Sequence, residues 1–206
     1  FRLYGGGAFI GQTPLESGKT LFDYSETHDL FIKGDNGSEA NFEIEAIRFT
    51  GLPIFYITTS GEASISSTEE YVSAHISFDG AKEFEGFEDE ILIRGRGNST
   101  WYFHDKKPYQ LKFEEKTSIL GMPEDRKWIF LAEHSDKTLL RNAVALEMGK
   151  LSNLEYTPQF HYAEVFLNDE YVGTYNITQK VEETKNRLDI GDDGYLLEID
   201  QIERLD

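Results

Sequence analysis

Apolar residues in this chain recur mostly at every second position, the period of a β-strand with one buried face. In Tyr71–Phe78, Val72, Ala74, Ile76 and Phe78 share one face; Tyr71, Ser73, His75 and Ser77 share the other, so His75 reads as a solvent-facing strand residue. Asn41–Ile47 alternates in the same way, with Phe42, Ile44 and Ala46 in phase, and so does Tyr109–Phe113. Shorter apolar runs at 30–33, 54–57, 91–93, 128–132, 162–167, 171–177 and 194–200 also suit strands. Between them lie turn signals, of which Gly34-Asp35-Asn36-Gly37 is the strongest because Asn-Gly favours a tight hairpin. The acidic stretch Glu83–Glu90 reads as a solvated loop. These spacings predict an α+β fold, a twisted and mostly antiparallel sheet with one main helix packed on it.

That helix is predicted over Lys137–Leu151, with Ser135 or Asp136 as its N-cap. Leu140, Ala143, Val144, Met148 and Leu151 recur at helical spacing and are expected to face the core. On that reading Leu140→Ala costs about 2–5 kcal/mol. Arg141 and Glu147 sit off the stripe.

The chain is strongly acidic, with a net charge of −18, yet its charge is uneven. Residues 1–90 carry 17 acidic and 5 basic side chains. Between Arg94 and Lys112 the balance reverses: Arg94, Arg96, Lys106, Lys107 and Lys112 face only Asp105, a net of +4. The stretch Arg94-Gly95-Arg96-Gly97-Asn98-Ser99-Thr100-Trp101 follows an apolar run and precedes Lys106-Lys107. Two readings stand side by side. One is a hairpin whose cations pair with the surplus carboxylates. The other is an anion site in which loop N–H groups, arginine forks and a lysine hold phosphate. The loop is neither a Walker A motif nor a dinucleotide fingerprint, lacking the Gly-Lys-Ser/Thr of the first and the third glycine of the second.

Other classes are excluded or weakened. Acidity argues against duplex nucleic acid, which attracts a basic face. No apolar run approaches membrane-spanning length. There are no cysteines, hence no disulfide, thiolate nucleophile or Cys-ligated metal. The five histidines show no zinc-ligand spacing, and Asp189, Asp192 and Asp193 read as a solvated turn. The chain starts at Phe1 without methionine, as expected of a processed or cut piece.

Several segments, in order, resemble the CotH kinase family: Leu52-Pro53, Arg94–Trp101, Lys106-Lys107-Pro108-Tyr109, Leu120-Gly121-Met122-Pro123, Trp128–Asn142 (WIFLAEHSDKTLLRN, the most specific), Asn168–Tyr175, Asn186-Arg187 and Gly194–Asp200. The resemblance covers residues 52–200. It implies a kinase-like amino-terminal lobe over 49–206, preceded over 1–48 by the end of a β-rich immunoglobulin-like module. It implies phosphoryl transfer from ATP, with Mg, to a protein hydroxyl, in a bacterial protein that is secreted or on the cell surface. Mapped by resemblance, Arg94, Arg96, Lys106, Lys107, Arg141 and Asn142 form the phosphate and nucleotide site. Lys107 is the leading phosphate lysine and Lys106 the second choice, and Arg94, Arg96, Lys107 and Arg141 are expected to converge on one cleft. The family's catalytic aspartate (in an Asn-x-Asp segment) and metal-binding aspartate (in a Trp-Asp-x-Asp segment) follow the equivalent of Asp200. Neither segment occurs within these 206 residues, so no catalytic residue or metal ligand is assigned and the chain alone is expected not to turn over. Gln179 stands where many members carry glutamate, which makes a weak kinase or pseudokinase an expected variant. The alternative is a non-catalytic surface binding or adhesion module.

Overall fold

A computed structural model describes residues 5–16, 19–20, 27–44 and 50–197. The chain divides into two compact units, 1–50 and 51–206.

In the first unit, β1 (Gly7–Ile10), β2 (Thr13–Pro14), β3 (His28–Lys33) and β4 (Glu39–Ile44) form an antiparallel sheet in the order β2-β1-β3-β4. Ala8, Ile10 and Leu15 make its small core, with Leu30 and Ile32 against them. The Gly34–Gly37 turn forms as expected. Gly37 takes φ +80°, which glycine tolerates, and Asn36 Oδ1 accepts from the Ser38 N–H at 3.0 Å. Phe42 is exposed, so the alternation in this strand does not mark a face buried among the described residues. Residues 45–47 of that predicted strand lie outside the described residues.

The second unit contains β5 (Ile54–Thr59), β6 (Val72–Asp79), β7 (Phe87–Gly95), a one-turn helix α1 (Ser99–Tyr102), β8 (Tyr109–Thr117), β9 (Asp125–Leu131), α2 (Arg141–Leu151), β10 (Phe160–Leu167) and β11 (Glu170–Gln179). The expected sheet is mostly antiparallel but not open: it closes into a seven-stranded barrel, β10-β11-β9-β8-β7-β6-β5. The closing pair, β5 with β10, is the parallel one, with Ile54–Ile57 beside Glu164–Leu167. The inward phase of each strand fills the barrel. Phe55, Ile57, Ala74, Ile76, Ile93, Leu111, Phe113, Phe130, Val165 and Ile177 are all buried, and the Phe55 ring stacks on Phe78 at 4.5 Å. Each such aliphatic or aromatic side chain contributes roughly 1.5–3 kcal/mol on burial. His75 points outward, as read from sequence, with Nδ1 3.0 Å from a Glu90 oxygen.

Three sequence expectations are corrected. The acidic stretch 83–90 is only partly a loop: Phe84 and Phe87 pack on the core, and β7 starts at Phe87. Residues 194–197 are not in a strand, and 198–200 lie outside the described residues. The helix begins at Arg141 rather than Lys137. Asp136 caps the preceding turn, Oδ1 accepting from the Thr138 N–H and Oδ2 from the Arg141 N–H at 2.9 Å.

The helix also turns its apolar stripe outward. Leu140, Val144, Met148 and Leu151 are more than half exposed, and only Ala143 of the predicted face is buried. The reason is steric. The barrel interior is already filled from the strands, so α2 docks on the outer wall. Ala143 is its buried residue, and Gly149 makes room for the chain that follows the helix, since a Cβ there would lie 2.7 Å from the Thr157 side chain. Close approach selects the Ala143 side, and apolar spacing alone cannot distinguish it. We therefore expect Phe130→Ala to cost about 3–5 kcal/mol and Leu140→Ala under about 0.5 kcal/mol. Urea unfolding followed by tryptophan fluorescence measures both.

Candidate functional site

Two connected clefts lie where β9, β11 and α2 meet the β7–β8 connection. The smaller, about 230 Å³, is lined by Arg96, Thr100 and His104 from that connection, by Glu133–Asp136 from the loop after β9, and by Arg141 and Asn142 from the first turn of α2. The larger, about 580 Å³, has an apolar wall of Ile129, Leu131, Ala145, Leu146, Leu196 and Leu197, with Thr178–Val181 along its edge. Arg96, Leu131 and Asn142 line both, so the two form one groove. The wall follows from strand alternation: Trp128 and Phe130 point into the barrel, leaving Ile129 and Leu131 facing out.

Arg96 occupies the junction. Among the described residues its half-buried guanidinium makes no ion pair. Burial, and then the Arg94 charge, lower its pKa. Arg141 is different: it is exposed, and its Nε is 3.7 Å from Asp136 Oδ1. The carboxyl of Asp136 is held below its usual range by the Arg141 N–H, then by the Thr138 hydroxyl. The imidazoles of His104 and His134 lie 4.9 Å apart, centroid to centroid, on the same cleft. The Arg141 N–H that opens α2 is taken by the Asp136 carboxylate, which offsets the partial positive charge of that helix end.

The other sequence-assigned cations go elsewhere, which corrects the expected convergence of Arg94 and Lys107 with Arg96 and Arg141. Arg94 donates to the Thr68 carbonyl at 2.6 Å and lies 4.9 Å over the Tyr71 ring. Lys107 Nζ donates to the Trp101 carbonyl at 2.7 Å. Neither lines the groove. Lys106 reaches inward instead. Its ammonium donates to the Thr174 carbonyl and sits 4.3 Å over the Tyr175 ring. Gly173, at φ +103°, makes room for it, since a Cβ there would lie 3.2 Å from Lys106 Cε. Burial lowers the Lys106 pKa against the raising charges of Glu133 and Glu164. Gln179 is structural: its Oε1 accepts from the Gln159 N–H at 2.9 Å and from the Tyr156 hydroxyl at 3.2 Å.

Glu133 and His134, with Thr100 and His104, have no role assigned from sequence, and Asp136 only that of a helix cap. The signal in the sequence is the Glu133–Asp136 run inside the most specific family-like segment. Glu133 is the unusual group. Its two oxygens are shielded from solvent and make no hydrogen bond of good geometry, although the Asn142 and Asn176 amides face them and Lys106 is within electrostatic reach. Burial raises its pKa, outweighing those amides. Between its unfolded and folded values the native state binds more protons, so stability falls as pH rises through that window. Glu133→Gln should therefore raise the urea midpoint at pH 7 and leave it unchanged near pH 4.

A depression of about 410 Å³ elsewhere crosses the outer faces of β7 and β8. There Glu90 and Glu114 offset Lys112 and Arg126, which gives it no net pull on an anion. Among the described residues no cluster of three carboxylates or imidazoles could hold a metal ion, and no helix is long and apolar enough to cross a membrane.

A family model described as CotH kinase protein matches residues 93–206, just over half the chain. The match starts within β7 and runs through both sides of the groove; the quoted motif at Leu52-Pro53 lies outside it. No curated protein matches the chain. With the ordered motifs and the extent of this match, the chain belongs to the CotH kinase family.

Proposed function

We propose that residues 51–206 form the nucleotide-binding portion of a bacterial protein kinase, secreted or on the cell surface, that passes a phosphoryl group from ATP to a protein hydroxyl. The observation that carries this reading is Arg96, a half-buried cation with no ion pair among the described residues, at the junction of a polar cleft and an apolar one. A nucleotide divides in the same way. Its phosphates suit Arg96 and, beside it on the same cleft, the exposed guanidinium of Arg141. Its flat base suits the wall of Ile129, Leu131 and Leu146, with the backbone of Gln179–Val181 at the edge.

Phosphoryl transfer rests on positioning and charge more than on covalent chemistry, which a groove of this kind supplies. In this reading Lys106, not Lys107, is the lysine of the site, and it acts behind Glu133 rather than on the phosphates directly. Mg²⁺ belongs to the same proposal as the partner of ATP; among the described residues no group of three carboxylates or imidazoles is placed to hold it alone, so the phosphates would supply much of its coordination. The small sheet of the first unit is assigned, in the same proposal, to the end of an immunoglobulin-like module.

Binding by this chain should be weak, on the order of millimolar, or about 4 kcal/mol. In an NMR titration, ATP should shift the amides of Arg96, Thr100, Asn142 and Thr178–Val181. Arg96→Ala should weaken it at least about tenfold, roughly 1.4 kcal/mol, while Lys112→Ala on the outer face leaves it unchanged. Shifts confined to the outer face of β7 and β8, or equal affinity in Arg96→Ala, would contradict the reading.

A further inference from the structure

Arg187 lies just before the acidic turn at Asp189–Asp193, yet its side chain is wholly buried. Nη1 donates to the Pro123 carbonyl at 3.3 Å and Nη2 to the Lys127 carbonyl at 3.2 Å. The guanidinium lies 4.4 Å over the Trp128 ring, and Nε is 3.8 Å from Asp125 Oδ2. The same Asp125 oxygen accepts from the Thr184 hydroxyl at 2.5 Å. Asn186 adds a bond to the Glu124 carbonyl at 2.8 Å, and Glu182 pairs with Lys127 at 2.9 Å. Residues 182–187 thus form a strap fastened at several points to the start of β9.

The fastening is not best explained by stability. Arg187 Nε has no hydrogen-bond partner, and the Asp125 pair is long. A buried ion pair of that quality is often no better than well-packed apolar side chains, because desolvation offsets the attraction. What the strap does is geometric. Lys180 and Val181 immediately precede it, Leu196 and Leu197 follow it, and all four line the larger cleft. Gln179, in register with Trp128, ends the strand from which the strap departs.

We propose that Arg187, held by Asp125, is a positioning residue that sets the apolar wall of the larger cleft and so governs the part of nucleotide affinity that depends on the base. The proposal rests on the nucleotide reading of the groove. The phosphates, bound at Arg96 and the start of α2, should be indifferent to it.

The test uses the full chain with Arg187→Met, Arg187→Lys and Asp125→Asn, titrated with ATP and with inorganic tripolyphosphate, beside amide hydrogen exchange. Arg187→Met should bring ATP affinity down to that of tripolyphosphate, leave tripolyphosphate unchanged, and speed exchange at Gln179–Val181 but not at Arg94–Trp101. Arg187→Lys, which keeps a charge but not the planar fork, should fall between Arg187→Met and the parent. If Arg187→Met does not fold, Asp125→Asn carries the same readouts, because it keeps an acceptor for Thr184 and removes the charge. A folded variant that keeps the parent's preference for ATP, or loses both ligands equally, overturns the proposal. If the parent binds neither ligand, the nucleotide reading falls. Exchange at Gln179–Val181 then decides the positioning role, and unchanged exchange in the variants overturns it.

Discussion

Everything in the larger unit depends on the pairing that closes its barrel. β5 and β10 are far apart in sequence and run parallel, so no local hairpin can bring them together. The pairing is secured at its end by one side chain. Asn168, in the tight turn between β10 and β11, accepts from the Thr59 N–H at 2.8 Å through Oδ1, and its own N–H bonds to the Ile57 carbonyl at 2.8 Å. Asn168 and Asp169 both take positive φ, as a hairpin of this hand requires. With the barrel closed, no inward face remains for a helix. α2 must dock outside, and the space between it and the outward residues of β9 becomes the groove.

The electrostatics follow from the same packing. A chain of net charge −18 repels a polyanion at long range, so any anion site depends on cations acting at short range. Most of the cationic stretch spends its charge on the fold. Arg94 and Lys107 satisfy carbonyls, and Lys106 bonds the Thr174 carbonyl and lies over the Tyr175 ring in the space left by Gly173, within electrostatic reach of Glu133 and Glu164. Arg187 does the same for the strap. Arg96 is left at the junction of the groove, and this makes its position more informative than the net charge of the stretch around it.

How far the sequence could be read follows from which interactions are local. Strand alternation located the barrel strands, because one buried face imposes a period of two whatever the topology. The Asn-Gly hairpin was legible for the same reason, being a bond between near neighbours, whereas Asp136, read as the N-cap of a helix from Lys137, instead holds the turn before Arg141, with Leu140 at the N-cap position. Closure of the sheet was not, since it rests on the non-local β5–β10 pair. Nor was the docked side of α2, because Ala143 carries too little apolar signal to compete with Leu140, Val144 and Met148. Within the groove Arg96, Arg141 and Asn142 were found by motif. Glu133 was missed because its importance lies in burial beside Lys106 and Asn176, which are far from it in sequence. Asn186-Arg187 was legible as a family-like pair, but not the burial of Arg187, because a charged residue among Asn, Asp and Gly looks solvated until Trp128 and Asp125 are placed around it.

The most direct test of the central claim is photolabelling with 8-azido-ATP, followed by peptide mapping, with and without excess ATP. A base lodged against the wall of β9, α2 and the end of β11 should label peptides spanning 129–146 and 178–197, and ATP should protect them. Labelling that falls instead on the first unit, or on the outer face of β7 and β8 around Lys112, would contradict the assignment of this groove to a nucleotide.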